Sequence, residues 1–253
     1  MKLQGKVAII TGSSMGIGEA MAEAFGAEGA RLVVNSRSQE RARTVADRLT
    51  SQGVEAIAVQ ADVSRKADCE RLVRAAVDRW GRLDILVNNA GVNAIRPSLE
   101  LSEEDWRRVL DTNLSGVFFA CQAAGRQMVQ QGSGTILNVS SIYGHVGVPR
   151  RAAYVSTKHA VLGLTKVLAV EWARYGVRVL SIDPAYIKTP LDEMDQATGD
   201  YTDADIIRRT PMGRFGTLAD VARAAVFLVS DDAAYISGSS LLVDGGWIAY
   251  GAW

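Results

Sequence analysis

Two histidines, two cysteines and five prolines among 253 residues leave little material for several kinds of chemistry. His145 and His159 are too few and too isolated to hold a metal, so no metal site is expected. Cys69 and Cys121 fall in helix-like stretches without metal-ligand spacing, which suits free, buried thiols in a reducing cytoplasm. Neither sign of charge is in surplus: 28 basic and 28 acidic side chains cancel, leaving no electrostatic footprint for nucleic acid or an anionic membrane. No apolar run approaches the roughly 20 residues of a membrane span. The opening MKLQGKVAII lacks the cleavage pattern of a signal peptide. Linkers, low-complexity tracts and blocks of like charge are absent too, so residues 1–253 read as one domain.

What remains is an ordinary globular composition, 48% hydrophobic and 22% charged, arranged in a strict alternation. Short β-branched runs (KVAII, RLVVN, EAIAVQ, DILVN, TILNVS, VRVLSI, SLLVD) are separated by helical patterns at 16–29, 38–52, 66–80, 102–131, 152–175 and 217–230. Apolar strands interleaved with amphipathic helices imply right-handed crossovers and a parallel sheet covered on both faces. The fold class is therefore α/β: a doubly wound Rossmann fold with a seven-stranded sheet. Residues 185–215 break the rhythm with polar, turn-rich sequence, and read either as a segment covering a substrate or as a surface excursion.

Directly after the first strand comes TGSSMGIG, with Gly12, Gly16 and Gly18 leading into a helix. Glycines there permit tight turning and close backbone approach, and a helix N-terminus offers free N–H groups to a pyrophosphate. The spacing differs from G-x-G-x-x-G, but the place between first strand and first helix favours dinucleotide binding over a mere turn. The second strand ends in Asn35, Ser36 and Arg37, where a cofactor with a free ribose 2′-hydroxyl would want Asp or Glu. A guanidinium at Arg37 can grip a 2′-phosphate, so NADP(H) is the expected cofactor; an exposed surface arginine would look the same. Asp62 suits either the adenine amino group or the cap of the following helix.

Tyr154 and Lys158, in YVSTK, share one helix face at spacing i, i+4. An ammonium about 4 Å from a phenolate is worth roughly 4 kcal/mol at an effective dielectric near 20, which favours the ionised tyrosine. Such a tyrosine can give a proton to a ketone oxygen and take it back from an alcohol.

Together these stretches resemble the short-chain dehydrogenase/reductase family: TGSSMGIG its phosphate loop, NNAG at 88–91 its fourth-strand motif, and SS at 140–141 with YVSTK its active-site serine, tyrosine and lysine. The likeness runs in order along essentially the whole chain. It implies Asn113, Ser141, Tyr154 and Lys158 as catalytic residues. Ser141, 13 residues before Tyr154, is selected over Ser140 by the family's spacing and would hold the substrate oxygen. Asn113, in DTNLSG, would help position a water linking Lys158 to solvent, and Lys158 would also bind the nicotinamide ribose. Cofactor contacts are implied for Gly12, Ser14, Met15, Gly16, Ile17 and Gly18 in the loop, and for Ser36, Arg37, Asp62 and Val63. Others are implied at Asn88, Asn89, Ala90 and Gly91, at Tyr154 and Lys158, and at Pro184, Ile187 and Thr189. Asp183 and Ala185, in DPAYIKT, stand where the family has asparagine and glycine, and Ala185 adds a methyl beside the nicotinamide pocket.

Substrate choice is expected from NAIRPS, IYGHVGVPRRAA and 185–215. Arg96, Arg150 and Arg151 could meet a carboxylate or phosphate, with at least two of them expected at the surface. TPMGRFG and VDGGWIAYGAW resemble family members acting on sugars, so a keto-sugar, polyol or sugar acid is preferred to a 3-oxoacyl thioester. A scaffold that senses NADP(H) without turnover is the non-enzymatic alternative. The resemblance also implies a homotetramer paired through the helices at 112–131 and 152–175, with the apolar tail GWIAYGAW reaching a neighbour.

Overall fold

The computed structural model describes residues 1–189 and 201–251. Among them seven parallel strands form one sheet: β1 (Val7–Ile10), β2 (Arg31–Ser36), β3 (Ala56–Gln60), β4 (Ile85–Asn88), β5 (Gly134–Val139), β6 (Val177–Pro184) and β7 (Ser240–Val243). Their order is β3-β2-β1-β4-β5-β6-β7, and the sheet is the seven-stranded, doubly wound one that the alternation of strand and helix predicted. Helices α1 (Gly16–Ala27), α2 (Gln39–Ser51), α3 (Lys66–Trp80), α5 (Gly116–Gln131), α6 (Ala152–Trp172) and α8 (Leu218–Val229) cover the two faces. The shorter α4 (Glu103–Leu110) and α7 (Asp203–Arg209) lie between them in the chain.

Period-two alternation sends Ala8 and Ile10 to one face, with Phe25 of α1, Leu49 of α2 and Val221 of α8. Val7 and Ile9 point to the other, with Leu72 of α3, Met128 of α5 and Val161 of α6. Both layers are close to fully buried. From β1 the chain works outward to β3 and then returns to β4 on the far side of β1. That reversal leaves a crevice beyond the carboxyl ends of β1 and β4.

Two local expectations need correction. The helical pattern over 102–131 is not one α-helix: a π-turn at Asp111–Ser115 separates α4 from α5. Periodicity alone cannot register one widened turn, since apolar residues continue on both sides of it. The polar stretch at 185–215 contains α7, started by a capping box in which Thr202 accepts from the Asp205 N–H and the Asp205 carboxylate accepts from Thr202 N–H. Residues 190–200 of that stretch lie outside the described residues. Among the described residues no helix is long and apolar enough to cross a membrane.

Candidate active site

A cleft of about 480 Å³ opens at the carboxyl ends of the strands, where the sheet reverses direction. Its first end is the glycine turn after β1. Gly12 and Gly16 take left-handed conformations (φ +62° and +58°) that a side chain would resist, and a Cβ on Gly12 would come within 2.9 Å of the Ala90 backbone. Met15 at the N-cap of α1 makes no side-chain cap, so its first-turn N–H groups are not satisfied by the cap residue. The turn is held by amides. Asn35 Oδ1 accepts from the Gly12 N–H while Asn35 Nδ2 donates to the carbonyls of Val59 and Ala61, and Asn89 Nδ2 donates to the carbonyls of Thr11 and Gly12. Asn35 is thereby spent as a brace, and Ser36 and Arg37 are the end-of-strand residues that line the cleft. Arg41, in the first turn of α2, lines it as well, from just beyond the Ser38 cap that follows Arg37.

Ser14, Met15, Ile17, Asp62, Val63, Asn89, Ala90 and Gly91 all border the cleft, and so do Pro184, Ile187 and Thr189. The Asp62 carboxylate accepts from both the N–H and the hydroxyl of Ser64, so it forms the turn ahead of α3 while still facing the cavity. Three residues are placed elsewhere. Gly18 is buried beneath the turn, where a Cβ would lie 2.3 Å from Asn89 Nδ2 and 2.5 Å from the Gly12 carbonyl; it permits close packing and does not line the cleft. Asn88 points into the protein, donating to Asn138 Oδ1 and approaching Cys121 Sγ, because it is the last residue of a fully buried strand. Asn113, 1% exposed, sits behind the wall. Its Oδ1 accepts from the Val92 N–H and its Nδ2 donates to the Val92 carbonyl, so both halves of the amide hold the β4–α4 loop.

At the other end, Ser141, Tyr154 and Lys158 share one wall. Ser141 ends the extended run after β5 and caps the short turn Ile142–Gly144 by accepting from the Tyr143 N–H. Ser140, its neighbour, donates to the Lys158 carbonyl and locks α6 to the sheet. The Lys158 ammonium lies 5.4 Å from the Tyr154 ring centre and donates to the Val139 carbonyl at 2.7 Å, so the amine is anchored on β5 beside the ring. Burial pushes Lys158 down to about 8, against the opposing charge of Asp183.

Above these residues stands an aromatic wall. The hydroxyls of Tyr143 and Tyr186 hydrogen-bond to each other, Tyr201 packs edge-on to Tyr186, and Trp247 packs against both Tyr143 and Tyr186. Burial holds the Tyr143 hydroxyl protonated. Trp247 and Tyr250 also stack on the Arg209 guanidinium, at 4.5 and 5.0 Å, so these tail residues pack on their own chain; residues 252–253 lie outside the described residues. Of the three arginines considered for an anionic substrate, Arg96 is exposed and Arg150 half-buried. Arg151 is 4% exposed and on the cleft wall, 6.0 Å from the Tyr201 ring centre. Cys69 and Cys121 are buried, and burial pushes both thiols up to about 12.

The family model described as enoyl-(acyl carrier protein) reductase matches residues 12–248. A 3β-hydroxysteroid dehydrogenase of Eggerthella lenta is 43% identical over 98% of this chain and 95% of its own. A 3-oxoacyl-[acyl-carrier-protein] reductase of Staphylococcus aureus is 39% identical over 95% of this chain and 97% of its own. A gluconate 5-dehydrogenase of Burkholderia cenocepacia, crystallised in complex with NADP and tartrate, superposes with a TM-score of 0.93 at 36% identity, covering 98% of this chain and 97% of its own.

Proposed function

The chain belongs to the short-chain dehydrogenase/reductase family, and from that premise we propose that it is an NADP(H)-dependent oxidoreductase interconverting a small ketone and its secondary alcohol, with a keto-sugar, polyol or sugar acid as substrate. The observation that carries the reading is the convergence of Ser141, Tyr154 and Lys158 on one wall of a cleft whose far end is a glycine turn at a helix N-terminus.

The residues present fit a 2′-phosphorylated dinucleotide. The turn leaves room for close backbone approach, the uncapped start of α1 faces the cleft, and Arg37 and Arg41, which line it, would hold the added phosphate. When bound, the nicotinamide supplies or accepts the hydride. Tyr154 gives the proton to the carbonyl oxygen on reduction and removes it on oxidation. Ser141 donates a hydrogen bond to that oxygen as charge develops on it. The Lys158 ammonium, fixed by Val139, favours the phenolate form of Tyr154. Asn113 is a positioning residue for the loop at Val92, without direct contact to reactant.

A polar, hydroxylated substrate is supported by the tyrosine hydroxyls and Arg151 on the cleft wall, and by the tartrate in the gluconate 5-dehydrogenase complex. A 3-oxoacyl thioester is the second reading, favoured by the 39% identity with the Staphylococcus aureus enzyme. We further propose that residues 185–215 cover the substrate in a single-domain enzyme of the cytoplasm. Exposed Phe118 on α5 and exposed Val167 and Val170 on α6 support assembly into a homotetramer through those helices.

NADPH oxidation over ketones, keto-sugars, sugar acids and acyl thioesters tests the reading. Turnover of a hydroxylated ketone is expected, and Tyr154→Phe should lower kcat by about 10²–10⁴-fold with NADPH binding little changed. Full turnover by Tyr154→Phe refutes the assignment of the acid, and NADPH binding without turnover of any member of the panel leaves the sensing scaffold in its place.

A further inference from the structure

One face of β6 reads Val177, Val179, Ser181, Asp183 toward α6. The two valines pack with Val161, Leu168 and Ala169 of that helix, and the polar pair follows as the strand nears the cleft. Asp183 is fully buried. A carboxylate so placed needs partners, and it has two: the Ser181 hydroxyl donates to Oδ1, and His145 Nε2 lies 2.6 Å from Oδ2. His145 follows the turn that carries Ser141, and 27% of its side chain is exposed, so one edge of the ring meets solvent. Lys158, only 6% exposed, precedes Val161 on α6 by one helical turn and faces the same layer.

The groups set around this pair are few. Lys158 faces Tyr154 from its own helix and donates to the Val139 carbonyl on β5; Val139 is in register with Ile182 of β6, so Asp183 follows that pair by one residue, and its charge opposes the desolvation of Lys158. Asp183 faces Ser181 and His145, and its register partner on β7 is the uncharged Leu242.

We propose that Asp183, held by His145 and Ser181, is the counter-charge that keeps Lys158 an ammonium in its buried position, and is thus a positioning residue of the reaction. This rests on the proposed reading of Tyr154 and Lys158 and deepens it. Desolvation disfavours the ammonium, and a neutral asparagine, which the family resemblance implied for this position, would leave that bias unopposed. The acid restores it. His145 supplies the second hydrogen bond to the buried Asp183 carboxylate.

The test follows the proton on Lys158 directly. The chain has six lysines, so protein labelled with 13C at lysine Cε gives a resolvable set of resonances, that of Lys158 assigned by its loss in Lys158→Met. In Asp183→Asn the Lys158 resonance should titrate at lower pH, its proton affinity reduced at least about tenfold. His145→Gln, which keeps a donor, should titrate as the parent does, whereas His145→Ala should shift toward the Asp183→Asn behaviour. For the carbonyl turned over in the panel above, the alkaline limb of kcat/KM should move down by the same interval in Asp183→Asn, with the acid limb unmoved. An unshifted Lys158 resonance in Asp183→Asn overturns the proposal, and so does a loss of kcat/KM that is uniform in pH. Should Asp183→Asn not fold, identical titrations in His145→Ala and His145→Gln overturn it equally. Because the resonance is read without substrate, a failure of the reaction assignment appears in Tyr154→Phe and leaves this result standing.

Discussion

Replacing Lys158 by methionine should make the protein more stable and inactive at once. Free lysine titrates near 10.5, and burial in the fold pushes Lys158 down to about 8. Carrying the proton inside the fold therefore costs about 3 kcal/mol relative to carrying it in the unfolded chain. Below pH 8 both states are protonated and the whole penalty is present. As pH rises from about 8 through 10.5, the folded chain releases its proton first, so the penalty fades and the parent protein gains stability relative to the variant. Methionine has a similar length and no charge, but it leaves the Val139 carbonyl without the donor it has at 2.7 Å, a loss of about 1–2 kcal/mol. The variant should thus be more stable by about 1–2 kcal/mol at pH 7 and less stable by a similar amount at pH 10.5. Urea unfolding followed by circular dichroism at both pH values measures the two differences. If the stability change is the same at pH 7 and 10.5, the lysine is not paying a desolvation penalty and the electrostatic argument for the site is wrong.

Arg37→Ala and Arg41→Ala should each weaken NADPH binding by about 10–100-fold while leaving NADH binding nearly unchanged, since each removes a charge-assisted contact to the 2′-phosphate alone. Fluorescence titration with both nucleotides reads the ratio, and equal losses for the two would remove Arg37 and Arg41 from cofactor selection. Gly18→Ala should cost about 1–3 kcal/mol of stability and weaken NADPH binding at least tenfold, because its Cβ would strike the Asn89 amide and the Gly12 carbonyl that shape the turn. Thermal melting with and without NADPH checks both, and a variant that melts and binds like the parent would mean the turn tolerates displacement.

The parts of this fold legible in the sequence are those written by local rules. Buried parallel strands show as unbroken β-branched runs, helices as apolar stripes, and the cofactor turn as glycines between the first strand and first helix. Tyr154 and Lys158 were legible because one helix sets their separation, and Ser141 because the family's spacing singled it out. What escaped was decided by contacts between distant stretches. Asn88 and Asn89 are adjacent and alike, yet the pleat sends the first into the core and leaves the second at the cleft. Asn113 is tied through both amide atoms to Val92, a partner 21 residues earlier that no local pattern marks. The aromatic wall joins Tyr143, Tyr186, Tyr201 and Trp247 from separate loops, and the link between His145 and Asp183 spans 38 residues.

The two ends of the cleft draw on different lengths of chain. Most of the nucleotide cradle is assembled from residues 12–91, with Pro184, Ile187 and Thr189 added from the end of β6 and beyond, whereas Ser141, Tyr154 and Lys158 all lie after β5 begins. During synthesis from the N-terminus, a nascent chain can therefore shape a place for nucleotide before it owns any group able to move a proton. Chemical competence arrives later, with the helix that follows β5.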